Sequence, residues 1–105
     1  MEIIETPIFT RKIKGILSDD EYRRLQWELA VNPEAGALIP GCQGLRKLRW
    51  AISGKGKRGG LRVIYYWYTH DEKIYMLLPY KKSEQQDLTR KQLKILMEFV
   101  KDGVI

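Results

Sequence analysis

Seven cations fall within residues 45–68, which read LRKLRWAISGKGKRGGLRVIYYWY: Arg46, Lys47, Arg49, Lys55, Lys57, Arg58 and Arg62. No acidic residue stands between Glu34 and Asp71 to neutralise them. Like charges held together repel and cost stability, so folding alone does not ask for this arrangement. Binding a polyanion does. Guanidinium and ammonium groups hold phosphate oxygens, and the run Tyr65, Tyr66, Trp67, Tyr68 offers rings on which bases stack. Contact with phosphate is therefore implied, with RNA the foremost ligand. The glycines of GKGKRGG at 54–60 permit positive φ and close approach of backbone to a ligand. This loop is not a nucleotide-binding P-loop, because it has no Gly-Lys-Ser or Gly-Lys-Thr step. Lys81 and Lys82 directly follow Tyr80 and are placed to add cations to the same cleft.

The rest of the chain is electrically unremarkable in composition. Net charge is +6, but removing those seven from 19 cations leaves 12 against 13 acids, so the positive field is local. With 105 residues, 44% apolar and 30% charged, the chain is expected to fold as one domain spanning residues 1–105. Cys42 is alone, which excludes an intramolecular disulfide and a cysteine metal cluster, and it is expected as a small apolar packing residue. His70 is also alone, beside Asp71 and Glu72 in an expected turn, so a two-histidine acid–base mechanism is excluded. Neither a metal nor a cofactor is expected. No run approaches the roughly 20 apolar residues of a membrane span, and the N-terminus lacks a signal-peptide core, which points to a cytoplasmic protein.

The elements that must position these residues are readable from caps and periodicity. Residues 1–9, MEIIETPIF, are partly β-branched and interrupted by Pro7, which suggests an edge strand. Ser18 with Glu21 is a capping box, Tyr22, Leu25 and Leu29 follow at helical spacing, and Asn32-Pro33 ends that helix. Residues 34–44 are punctuated by glycine and proline, with room for a brief helical turn. Residues 45–53, 61–69 and 73–80 read as three strands of an antiparallel meander, joined by 54–60 and by the turn His70-Asp71-Glu72. Thr89 with Gln92 is a second capping box, with Leu88 and Leu93 as its hydrophobic staple. Leu93, Leu96, Met97 and Val100 then form the buried stripe of a closing helix that Gly103 ends. The expected class is α+β: a small antiparallel sheet, N-terminal strand plus meander, packed on one face by an N-terminal helical segment and a C-terminal helix.

Strand parity separates the two faces of that sheet. Leu48, Trp50 and Ile52 share one face, and Lys47, Arg49 and Ala51 share the other. Arg62 falls with Ile64, Tyr66 and Tyr68, opposite Val63, Tyr65 and Trp67. The sequence leaves the register between the strands open, and with it the tyrosine that stands beside Arg49. Any one of Tyr65, Tyr66 and Trp67 also serves as an ordinary strand or core residue.

The segment GLRKLRWAISGKGKRGGLRVIYYW, followed by YKKSEQQDLT and a terminal helix, resembles the HigB branch of the RelE-like bacterial toxins. Further agreement lies upstream in SDDEYRRLQWEL, NPEAG and GCQGLRK, so the resemblance covers nearly the whole chain. It implies a RelE-like, microbial-RNase-type fold and a toxin of a type II toxin–antitoxin system. It further implies an mRNA endonuclease that works at the ribosome A site. A HigA-like helix-turn-helix antitoxin would neutralise it and provide an indirect contact with DNA.

In that family the mRNA 2′-hydroxyl attacks the adjacent phosphate, leaving a cyclic phosphate and a free 5′-hydroxyl. Such a reaction needs a base, an acid and cations for the charged transition state. Clustered ammonium groups depress one another's pKa, which equips a lysine as base. By motif position the resemblance implies that Arg62 stabilises the phosphate, that Lys55 and Lys57 are candidates for base or acid, and that Arg58 grips the backbone. Lys47 and Arg49, with Arg46, line the neighbouring strand, and Lys82 acts on the leaving group beside Lys81. Some relatives carry a tyrosine further along the terminal region. Asp87 and Leu88 stand there in this chain, leaving that role vacant or filled by Tyr80 or Tyr66.

Two rival readings use the same residues. One is a non-catalytic RNA- or ribosome-binding module, consistent with the missing histidine pair. The other is a ParE-like relative acting on DNA gyrase, against which the dense basic loop argues, since a protein target needs no phosphate-sized cluster of cations.

Overall fold

Thr6 and Pro7 turn the chain from its first strand into its first helix. The Thr6 hydroxyl accepts from the Phe9 amide at 3.1 Å, and Pro7 occupies the first helical turn, where its missing N–H is no loss. In the computed structural model, which describes residues 1–52 and 60–101, β1 (Glu2–Glu5) is therefore followed at once by α1 (Pro7–Ile13). The edge strand expected over residues 1–9 is confined to its first half, and Pro7 opens a helix instead of interrupting a strand.

The Ser18 hydroxyl caps α2 (Asp19–Val31) through the Glu21 amide at 3.1 Å, and the helix ends at Asn32, both as the sequence implies. From the stretch 34–44 comes a two-residue edge strand, β2 (Ala37–Leu38), in place of a helical turn. The meander follows as β3 (Leu45–Trp50), β4 (Leu61–Tyr68) and β5 (Lys73–Lys81). The chain closes on α3 (Arg90–Lys101). Its capping box is formed in both directions: the Gln92 amide donates to the Thr89 hydroxyl and the Thr89 amide to Gln92 Oε1, each at 3.0 Å.

The five strands run in the order β1-β5-β4-β3-β2. The class is α+β, with one correction to the expected sheet: β1 pairs parallel with β5, so the sheet is mixed and not wholly antiparallel. Helices α1 and α2 carry the chain from β1 to β2 at the opposite edge, so β1 and β5 are not joined by a tight hairpin, which would have forced the antiparallel sense. A second correction concerns the layers. One core cluster joins Phe9, Ile13, Leu25 and Leu29 to Leu48, Val63, Tyr65 and Met76, while another joins Leu45, Ile64, Tyr75 and Leu77 to Leu93, Leu96, Met97 and Val100. Helices α1 and α2 thus cover one face of the sheet and α3 the other. Strand β4 carries apolar residues on both faces, which is the pattern of a strand buried twice.

Two further details position the site. Leu77 is the extra residue of a β-bulge, since Ile64 pairs with Leu78 while Tyr65 pairs with Met76. The bulge places Leu77 and Leu78 on the same side and shifts everything beyond them by one, so Tyr80 joins the α3 face. The Thr6 hydroxyl donates to the Leu77 carbonyl at 2.9 Å, satisfying a group close to the ladder irregularity. On the opposite face, the Tyr65 hydroxyl donates to the Pro33 carbonyl at 2.6 Å and accepts from the Gly36 amide at 2.8 Å. A Cβ at Gly36 would meet the Tyr65 ring at 2.7 Å, so only glycine allows this approach.

Candidate anion-binding site

Alternation along β3 puts Lys47 and Arg49 on the α3 face, and the register sets Arg49 directly opposite Arg62. On its other side Arg62 is opposite Tyr80. Arg49, Arg62 and Tyr80 consequently form one row across three strands, near the end of the sheet where β3 runs out and β4 begins. Without the bulge at Leu77, Tyr80 would face α1 and the row would stop at Arg62.

An arginine that meets phosphate is expected to face solvent, and Arg62 does not. It is only 7% exposed. Its contact among the described residues is a bond of 3.4 Å from Nη1 to the carbonyl of Leu61, its own neighbour, and no described carboxylate lies within ion-pair distance. A buried guanidinium ordinarily has a carboxylate or several carbonyls, because removing a lone charge from water is costly. Tyr80 is 4% exposed, and its hydroxyl, also buried, has no hydrogen-bond partner among the described residues. Burial pushes its pKa up, with Asp87 adding to the rise, while Arg62 and Arg49 pull it down. The phenol therefore stays protonated and is a donor at neutral pH. A buried guanidinium whose one described bond is a long one to a carbonyl, beside a phenol with no described acceptor, constitutes a site complementary to an oxyanion.

Asp87 borders this row. Its Oδ1 accepts from the Leu88 amide at 2.9 Å and lies 3.4 Å from Lys47 Nζ. The amide bond and, more weakly, Lys47 hold its carboxyl below the usual aspartate range, although burial acts the other way. Sequence reasoning gave Asp87 no role. Its position one residue before the staple leucine of a capping box was the available signal, because that box fixes where the preceding loop lies.

The remaining expected residues are distributed as follows. Arg46 lies on the opposite face, where Nη1 donates to the Gly36 carbonyl at 2.8 Å and clasps the loop before β2. Lys81 pairs with Leu61, also away from Arg62, and its Nζ is 3.8 Å from Glu84. Tyr66 shares the face of Arg62 but pairs with Leu45 and Tyr75, four residues along β4, which is roughly 13 Å at strand rise. Tyr66 packs instead against Tyr68, whose ring contacts His70 at 5.5 Å at the far end of the strand. Lys82 is exposed, and its amide extends the β4–β5 ladder by donating to the Gly60 carbonyl at 3.1 Å. Lys55, Lys57 and Arg58 lie outside the described residues, as does Gly103. Cys42 is buried in the α3-side core.

Among the described residues no group of three His, Cys, Asp or Glu is arranged to hold a metal ion. No described helix is long and apolar enough to cross a membrane. No protein-family model matches the chain.

Proposed function

We propose that this protein is a ribosome-dependent mRNA endonuclease of the HigB type, with a RelE-like fold, acting as the toxin of a type II toxin–antitoxin pair. The observation that carries the reading is the buried row of Arg62, which has no carboxylate partner among the described residues, and Tyr80, whose hydroxyl has no partner among them, facing Arg49 across β4. In the proposed reaction a phosphate of the message takes the place of the missing acceptor. Arg62 and Arg49 receive its non-bridging oxygens and the Tyr80 hydroxyl donates to it. The neighbouring 2′-hydroxyl attacks phosphorus, the bond to the 5′-oxygen breaks, and a cyclic phosphate and a 5′-hydroxyl result. Charge builds on the non-bridging oxygens during this step, so donors fixed in a water-poor setting favour the transition state over the ground state.

The proton transfers fall to the amines that the resemblance assigns. Lys55 or Lys57 removes the 2′-hydroxyl proton, and Lys82 supplies one to the leaving oxygen. Arg58, Lys47 and Lys81 add attraction along the backbone. The partners under this reading are the ribosome A site with its message and a HigA-like antitoxin encoded next to the toxin, through which contact with DNA is indirect. The site of action is the cytoplasm, where translation occurs.

The deciding experiment maps transcript ends after induced expression, with and without active ribosomes. Growth arrest with cuts inside translated reading frames is the expected outcome. Intact messages on stalled ribosomes would instead favour a non-catalytic ribosome-binding module, and a DNA-damage response would favour a ParE-like action on gyrase.

A further inference from the structure

Next to the cationic row, a cavity of about 240 Å³ lies between β2, Lys47 of β3 and the start of α3. Pockets for drug-sized ligands run about 300–1,000 Å³, so this space is on the scale of a single planar heterocycle. Leu38, Pro40, Leu88 and Leu93 supply apolar walls, and among its described lining residues only Lys47 and Asp87 carry charge. Leu38 is 57% exposed, an apolar side chain on a sheet edge with an open flank.

Asp87 is held firmly at the rim. Its backbone carbonyl accepts from Gln85 Nε2 at 2.8 Å, and the same amide group reaches Gln92 Oε1 at 3.0 Å, tying the loop to the capping box of α3. With Oδ1 engaged by Leu88 and Lys47, Oδ2 forms no hydrogen bond to the described residues. An ionised carboxylate can only accept, so what it selects for is an N–H donor.

We infer that this cavity receives a nucleobase of the bound message, and that Asp87 selects bases bearing an exocyclic amino group. The inference rests on the RNA-cleaving reading above and adds a specificity pocket to it. Adenine, cytosine and guanine each present an amino group. Uracil has no exocyclic amino group; its base-pairing-edge donor is N3–H, and the carbonyl oxygens that flank it on both sides are repelled by a carboxylate. Distance suits the assignment. Lys47 and Arg49 are two residues apart on one face of a strand, roughly 6.6 Å, which is within the reach of one nucleotide from its phosphate to its base. Stacking on Leu38 and Leu88 would bury apolar surface of the ring that is otherwise exposed.

The test uses ribosomes programmed with messages that differ at one codon position at a time, cut by the purified protein. At one of those positions, uracil is expected to slow cleavage about ten-fold relative to the other bases. Asp87→Asn offers both a donor and an acceptor, so it should bring the uracil message to near parity. Leu38→Ala, at an exposed wall, should raise KM for every message with kcat little changed. Should Asp87→Asn fail to fold by circular dichroism, the wild-type base series and Leu38→Ala still decide the matter. Cleavage indifferent to base at all positions would overturn the pocket while leaving the nuclease reading intact. Failure to cut any message would remove the nuclease reading itself, and the pocket with it.

Discussion

Arg62 and Tyr80 are register partners across β4 and β5, and each is buried with its polar end poorly satisfied by the described residues. Arrangements of this kind persist when a ligand supplies what the free protein lacks. A purely structural arginine behaves differently, because its partners would be internal and its loss would leave them stranded. Arg62→Met separates the two cases. Methionine fills a similar volume without a charge, so folding stability should stay level or rise. Cleavage of translated message should fall by about 10²–10³. Chemical denaturation and transcript-end mapping on the same preparation check both halves. A large loss of stability would identify Arg62 as a structural group and sink the anion site.

Tyr80→Phe makes a finer prediction. The hydroxyl has no partner among the described residues, so removing it should leave stability unchanged or raise it by about 1 kcal/mol. A phenol that donates to the reacting phosphate contributes on the order of one charge-assisted hydrogen bond, so kcat should fall about ten-fold or more. A urea unfolding midpoint well below wild type would show that the hydroxyl has an internal partner after all.

Tyr65 is the contrasting tyrosine, satisfied on both sides by Pro33 and Gly36. Tyr65→Phe strands a buried amide and a carbonyl and should cost about 1–3 kcal/mol. Gly36→Ala should cost a similar amount by driving a methyl into the Tyr65 ring. Neither change touches the α3 face, so both should lower the unfolding midpoint while leaving the cleavage rate of folded protein intact. A selective loss of cleavage from either would show that the two faces are coupled.

What the sequence could tell divides along physical lines. Caps are local, so Ser18–Glu21 and Thr89–Gln92 were legible, and both hold in the structure. Side-chain parity is local too, and it sorted Lys47, Arg49 and Arg62 from Leu48, Val63 and Tyr65. The pair Thr6-Pro7 carried an equally local message, a cap followed by a proline suited to the first turn, but the β-branched run before it favoured a strand reading. Non-local facts were out of reach. Nothing in MEIIE says that it lies parallel to β5, and nothing in YMLLPYK announces that Leu77 bulges. An apolar run hides its parity, since every residue looks fit for a buried face. Strand register was equally hidden, and it is the register that sets Tyr80, and not Tyr66, beside Arg62.

Asp87 links stability to pH in a direction that can be worked out. Its folded pKa is held below the ordinary value of 3.8, chiefly by the Leu88 amide and secondarily by Lys47. A depressed folded pKa means that the ionised carboxylate favours the native state above 3.8, and that this contribution disappears as pH falls through the lower folded value. The carboxylate is well exposed, so the effect is modest. Asp87→Asn should therefore be slightly less stable than wild type at neutral pH, and the two should converge in strong acid. Midpoints measured at both extremes test this. A difference that persists undiminished in acid would mean that the charge of Asp87 is not its source.

Thr6 offers a prediction that runs from one local bond to the distant site. Its hydroxyl accepts from the Phe9 amide to cap α1 and donates to the Leu77 carbonyl at the bulge. Thr6→Ala removes both bonds, costing about 1–3 kcal/mol through the lost cap and a stranded carbonyl. The bulge is what turns Tyr80 toward Arg62, so relaxing it should also misplace the phenol. Cleavage by protein that remains folded should fall, with kcat affected more than KM. Thr6→Ser keeps the hydroxyl and should restore both stability and rate. If Thr6→Ala were merely less stable and cut at the wild-type rate once folded, the bulge would hold its shape without Thr6, and the aim of Tyr80 would be fixed by β4 and β5 alone.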